Sequence, residues 1–118
     1  MTKENTTRAR VTVPSILARK HTKEKITALS AYDYTSAKLI DRSAVDMILV
    51  GDSLSGLVQG NSTTLPVTLD EMIYHCRCVT RGAQRVLVVG DMPFMSYQVS
   101  IERAIESACR MMKEGGVA

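Results

Sequence analysis

At 118 residues, with 45% hydrophobic and 23% charged side chains, the chain has enough apolar material for a packed core, which argues against disorder. Its net charge of +3 is spread along the sequence without a Lys/Arg block, and four Tyr, one Phe and no Trp leave little to stack on bases, so nucleic acid is excluded as an expected partner. No apolar run approaches the roughly 20 residues that a bilayer crossing requires. The start Met1-Thr2-Lys3-Glu4-Asn5 also lacks the hydrophobic segment of a secretory signal, so a cytoplasmic protein with no membrane partner is expected.

Residues 1–11 are polar and read as a flexible N-terminal tail, followed by one domain over residues 12–118. Val13-Pro14-Ser15-Ile16-Leu17 predicts a short helix with proline in its first turn. From there an apolar run, an acidic turn and a helical stretch recur. Ile26-Thr27-Ala28-Leu29 leads through Ala31-Tyr32-Asp33-Tyr34 into a helix over about residues 35–42. Met47-Ile48-Leu49-Val50, halted by Gly51-Asp52-Ser53, reads as a parallel strand buried on both faces. Val86-Leu87-Val88-Val89 ends in Gly90-Asp91-Met92-Pro93 in the same way.

The helices carry their own end signals. Thr68-Leu69-Asp70-Glu71 fits a capping box, and Gly82 is the expected stop. The next helix spans about residues 100–114, with Ala104, Ile105, Ala108, Met111 and Met112 on one face and Gly115-Gly116 closing it. Val117-Ala118 then read as the opening of a fourth strand. Cys76, Cys78 and Cys109 are odd in number, lie in helix-like segments and have no His/Cys quartet near them, so buried, reduced thiols are expected rather than a disulfide or zinc site.

Successive strand-plus-helix units imply parallel strands with right-handed crossovers, hence a (β/α) barrel or a doubly wound sheet. In both, ligands bind beyond the carboxyl ends of the strands, which singles out Asp33, Asp52 and Asp91. Neighbouring strands stand about 4.8 Å apart, so carboxylates from the ends of the second and third can approach one cation. Oxygen ligands favour a hard ion such as magnesium, whose remaining positions go to water and substrate. Against this stands the ordinary use of such an Asp, which accepts backbone hydrogen bonds in a turn.

The connection from Gly51 to Val67 is long and carries Ser53, Ser55, Asn61, Ser62, Thr63 and Thr64, as functional loops at that end often do. Its glycines do not form a GxGxxG pattern, and no helix is expected close behind Gly51, so a dinucleotide site is discarded. His75, two turns into the second of the crossover helices, reads as a structural or interface residue distant from the site.

Four segments, Ala31-Tyr32-Asp33-Tyr34, Val50-Gly51-Asp52-Ser53-Leu54, residues 64–72 (Thr64-Leu65-Pro66-Val67-Thr68-Leu69-Asp70-Glu71-Met72) and Val89-Gly90-Asp91-Met92-Pro93-Phe94, closely resemble the ketopantoate hydroxymethyltransferase family in order and spacing. The similarity runs from about Val11 to the last residue. It implies a (β/α)8 TIM barrel, of which this chain holds the first three βα units and the start of a fourth strand, assembled as a homo-oligomer.

It also implies transfer of a hydroxymethyl group from 5,10-methylenetetrahydrofolate, the folate co-substrate, to the α-keto acid 3-methyl-2-oxobutanoate, giving 2-dehydropantoate on the route to pantothenate and coenzyme A. By motif, Asp52 and Asp91 match two Mg2+ ligands, while Asp52, Ser53 and Asp91 match positions that contact the keto acid. Ser55 departs from the glycine usual in the family after Asp-Ser-Leu. The family's Lys-Leu-Glu strand and its proton-abstracting glutamate follow later than residue 118, so no catalytic base is expected here and this chain alone is expected to be inactive. Two other readings stand beside this one: a noncatalytic truncated partial-barrel polypeptide, and another magnesium-dependent α-keto-acid barrel of the phosphoenolpyruvate mutase and isocitrate lyase kind.

Overall fold

Each predicted apolar run becomes a strand and each helical stretch a helix, with boundaries set by local capping. The structure, a computed structural model, describes residues 8–118, and residues 1–7 of the expected tail lie outside the described residues. In chain order it contains α1 (Val13–Ala18), a 3-10 turn (Arg19–His21), β1 (Ala28–Ser30), α2 (Tyr34–Asp41), β2 (Met47–Val50), α3 (Leu54–Leu57), α4 (Leu69–Gly82), β3 (Leu87–Gly90) and α5 (Ile101–Gly115). The strands form one parallel sheet in the order β1-β2-β3, with Ala28 opposite Met47 and Met47 opposite Leu87.

Four of the helices begin on a polar side chain that accepts an otherwise unpartnered backbone N–H: Thr12 for α1, Asp33 for α2, Thr68 for α4 and Ser100 for α5. Thr68 and Glu71 satisfy each other's backbone donors as the capping box predicts, and Gly116, at φ 76°, caps α5 in the left-handed conformation. α1 has no buried residue, and the chain just before it is tied to the foot of β3 by the Val11 N–H donating to Arg85 O at 2.8 Å.

Helices α2, α4 and α5 lie side by side, and their inner faces meet one face of the sheet. The core there is Ile48, Val50 and Val88 from the strands with Met72, Ile73, Cys76 and Val79 from α4, Ala37 from α2 and Met111 from α5. The other face of the sheet, carrying Met47, Leu49, Leu87 and Val89, is only half-buried. The expectation of burial on both faces is therefore met on one. The continuous apolar pattern of β2 suits a two-sided strand, yet no element among the described residues covers its second side.

Two further expectations need correcting. On α5 the buried stripe is Ser107, Met111 and Gly115, flanked by half-buried Ala104 and Ala108, whereas Ile105 and Met112 are exposed. The helix is turned so that its small residues meet α4, which Ser107 tolerates because its hydroxyl donates to Ser96 O at 2.6 Å. Among the cysteines, Cys76 is buried, Cys78 half-buried and Cys109 exposed, so the thiols are free but not uniformly buried. Beyond α5, the Ala118 N–H donates to Val88 O at 3.1 Å and Val117 is buried, which lays the chain beside β3 as a fourth parallel strand would lie.

At the amino ends of the strands the acidic residues are spent on structure. Asp41 accepts the N–H groups of Arg85 and Val86 at 2.8 and 2.9 Å, and Asp46 accepts from Thr27 N and from the Arg19 guanidinium at 2.9 and 2.7 Å.

Close packing of α4 on α2 depends on Gly82. A Cβ there would stand 2.6 Å from Tyr34 O and 3.0 Å from the Ala37 methyl. Gly82→Ala gains up to about 1 kcal/mol of helix propensity but forces backbone apart, so we expect a net loss of roughly 1–3 kcal/mol. Urea unfolding measures it, and an unchanged midpoint would mean that the two helices separate freely.

Candidate functional site

The carboxyl ends of β2 and β3 carry the same Gly-Asp pair, and parallel pairing sets them side by side, Val50 opposite Gly90. The chain leaves both strands at glycine. A Cβ on Gly51 would stand 2.9 Å from Ser53 Oγ and 3.4 Å from Asp91 Oδ2, so its absence lets the serine hydroxyl and the aspartate carboxylate fold back over the strand end. Under Gly90 the fit is tighter: a Cβ there would meet Met111 Cε at 2.6 Å and Cys76 Sγ at 2.9 Å, which seats the end of β3 directly on α4 and α5.

Asp52 and Asp91 both line one open cleft of about 750 Å3, whose other wall is Met92, Tyr97, Ala104, Ile105 and Ala108. Asp91 also crosses between strands, its Oδ2 accepting the Asp52 N–H at 3.0 Å. Part of the ordinary turn role is thus real, and it leaves Asp91 Oδ1 and the whole Asp52 carboxylate for other partners. Ser53, the third expected substrate contact, is exposed and is not among the residues lining the cleft; its Oγ lies 2.8 Å from the Tyr32 hydroxyl.

The donor set suits a hard cation. Asp52 and Asp91 are a two-carboxylate pair, and no group of three or more metal-ligating side chains forms among the described residues. The nearby thiol of Cys76 does not enter it, because burial and then the Asp91 charge push its pKa up to about 12 and keep it protonated. Two carboxylates with room for water and a chelating substrate are what magnesium commonly takes.

Asp33 is not brought into the cleft. Its carboxylate caps α2, accepting Ser36 N at 2.8 Å and Ser36 Oγ at 2.9 Å, and those hydrogen bonds hold its pKa below the usual carboxylate value. Its neighbour Tyr32, not singled out from the sequence, is the residue whose hydroxyl meets Ser53. No local signal marked it: continued past the strand ends, the pairing of Ser30 with Leu49 sets Tyr32 opposite Gly51 and Asp33 opposite Asp52.

The long connection is better ordered than its length suggests. It contains α3, and the fully buried Ser55 donates its hydroxyl to Thr63 O at 2.7 Å and accepts from Asn61 Nδ2 at 3.1 Å. Ser55 thus pins the loop on itself. Gln59 donates to Glu71 Oε2 at 2.8 Å, tying the same loop to the capping box of α4. A helix does follow Gly51 closely, contrary to expectation, but at four residues and without a side-chain cap it makes no pyrophosphate cradle.

His75 is also nearer than expected. Its Nδ1 lies 2.7 Å from Tyr32 O, just past the end of β1. The reason is length: 14 residues of α4 rise about 21 Å, more than a short strand, so the helix starts above the sheet and its second turn is level with the strand ends.

Comparison with known proteins gives the chain relatives. The sequence model of the ketopantoate hydroxymethyltransferase family matches residues 10–118. A protein of Magnetococcus marinus named 3-methyl-2-oxobutanoate hydroxymethyltransferase is 61% identical over 109 residues, covering 92% of this chain and 41% of the relative. Proteins of the same name from Desulforapulum autotrophicum and Moorella thermoacetica are 54% and 53% identical, covering 89% and 92% of this chain and 40% of each relative. The chain therefore spans about 40% of the length of these relatives. No helix among the described residues is long and apolar enough to cross a membrane.

Proposed function

Because the chain belongs to the ketopantoate hydroxymethyltransferase family, we propose that it forms the N-terminal part of an enzyme that moves a hydroxymethyl group from 5,10-methylenetetrahydrofolate to 3-methyl-2-oxobutanoate, giving 2-dehydropantoate. The observation that carries the reading is the meeting of Asp52 and Asp91 in one cleft at adjacent strand ends.

In this reading residues 12–118 are the first three βα units and the opening of the fourth strand of a (β/α)8 barrel, behind an N-terminal tail. Helices on one face, and a half-buried apolar second face, fit a sheet whose inner side is filled by the rest of a barrel. The complete protein is a cytoplasmic homo-oligomer, in a compartment where free thiols such as Cys109 stay reduced.

Asp52 and Asp91 would hold Mg2+, which when bound supplies Lewis-acid stabilisation of negative charge on the keto acid. Asp91 would do two things with one carboxylate: Oδ2 fixes the Asp52 backbone, and the remaining oxygen is left for the cation. Ser53, oriented by the Tyr32 hydroxyl, offers a hydrogen bond to the substrate carboxylate. The apolar wall of Met92, Ala104 and Ile105 limits water on the far side. The proton next to the keto group is left to a base beyond residue 118.

The test is a full-length chain in which residues 1–118 replace the corresponding part of the Magnetococcus marinus relative. It is expected to turn over 3-methyl-2-oxobutanoate with methylenetetrahydrofolate in a magnesium-dependent manner. A well-folded chimera with no turnover would reject the reading in favour of a noncatalytic polypeptide.

A further inference from the structure

Ser53 is an exposed serine on a loop, and a hydroxyl there has no fixed direction of its own. Here it has one, set by a chain of contacts that runs back into the helical layer. Ser53 Oγ meets Tyr32 Oη at 2.8 Å, and Tyr32 O meets His75 Nδ1 at 2.7 Å. A backbone carbonyl can only accept, so His75 must carry its proton on Nδ1 and donate. The neighbouring Tyr74 meets the imidazole edge-on, with centroids 5.3 Å apart.

Tyr32 is half-buried and packs against the core, but the path of its backbone depends on few polar contacts. β1 is three residues long and exposed throughout, and past it the chain turns at once into the Asp33 cap of α2. The Ala31 N–H still pairs with Leu49 O at 3.2 Å, but the next carbonyl, that of Tyr32, is bound by His75. The imidazole thus anchors the peptide from which the Tyr32 side chain swings, and α4, itself packed against the rest of the core, supplies the rigidity.

We infer that His75 is a positioning residue for the site: by donating Nδ1–H to Tyr32 O it holds the Tyr32 hydroxyl on Ser53 and so orients the group offered to the substrate carboxylate. This inference rests on the proposed role of Ser53. His75 acts through Tyr32 and touches no substrate itself.

The test uses the full-length chimera with three substitutions. His75→Phe keeps a ring beside Tyr74 and removes the donor. His75→Asn places an amide N–H near the position of Nδ1. Tyr32→Phe removes only the hydroxyl. His75→Phe and Tyr32→Phe should each raise KM for the keto acid about tenfold, the scale of one lost hydrogen bond, with a smaller change in kcat. His75→Asn should stay within about threefold of the parent, and the double Phe variant should lose less than the two singles combined, because both cut one chain of contacts.

If His75→Phe lowers the melting temperature and leaves KM alone, or His75→Asn fails as badly as His75→Phe, the inference is overturned and the histidine is merely structural. Imidazole nitrogen NMR reads the anchor independently of turnover. Nδ1 should be the protonated nitrogen, and an Nε2–H tautomer overturns the inference even in an active enzyme. A parent chimera without turnover condemns the reading of the site instead, and leaves the anchor to be judged by NMR.

Discussion

Asp91→Asn in the full-length chimera is expected to lower kcat/KM about a hundredfold or more, the scale seen when one preorganised electrostatic partner is removed from an active site, while leaving the fold intact. Asn retains an acceptor oxygen for the Asp52 N–H that Asp91 Oδ2 now holds at 3.0 Å, so the link between the two strand ends survives. What is lost is the negative charge. Asp91→Ala removes both and should cost a further 1–2 kcal/mol or so of stability from the unpaired N–H. Asp52→Asn, whose carboxylate has no hydrogen-bond partner in the turn, should match Asp91→Asn in activity without a change in melting temperature.

Magnesium separates this from the purely structural role. A cation that binds only the folded site raises the melting temperature, so the parent should melt higher with added Mg2+ and neither Asn variant should respond. The double Asn variant should lose less than the product of the single losses, since the first substitution has already emptied the shared site. A parent-like magnesium response in both single variants would leave Asp52 and Asp91 with a turn role only.

How much of this was legible in the sequence depended on whether the signal was local. The strand over residues 47–50, the capping box at Thr68 and Glu71 and the stop at Gly82 all agree with the structure, because each is fixed by residues within a few positions of one another. The meeting of Asp52 and Asp91 was legible for a related reason: consecutive strands usually pair, and β2 and β3 do so here. Asp33 looked equivalent and is not, because its carboxylate is taken up by the first turn of α2, while the neighbouring Tyr32 hydroxyl meets Ser53. The contact of His75 with Tyr32 spans 43 residues and depends on how far α4 overshoots the sheet, which no local pattern encodes. The rotation of α5 was missed for the same reason. Its large apolar residues suggested one face, and the small residues that allow close approach to α4 decided another.

The 118-residue chain by itself is expected to show no hydroxymethyl transfer above the uncatalysed rate. Carbon–carbon bond formation at an α-keto acid needs a base placed within hydrogen-bond reach of the departing proton, a contribution of about 10²–10⁴-fold on its own. The carboxylate, thiol and imidazole groups nearest the cleft are otherwise engaged. Asp33 is bound by Ser36 N and Oγ, which hold its carboxyl below the usual range and make it a weaker base. Cys76 is buried and its thiol stays protonated. His75 uses Nδ1 on the Tyr32 carbonyl and does not line the cleft. In the proposed reading Asp52 and Asp91 hold the cation, and a carboxylate cannot hold magnesium and collect a proton at full strength together. Adding Mg2+, keto acid and methylenetetrahydrofolate to the purified chain should therefore leave the folate co-substrate unchanged beyond its spontaneous loss, while the chimera under the same conditions consumes it. Turnover that persists through repeated purification and vanishes in Asp33→Asn would overturn this, and would move the base to the exit of β1.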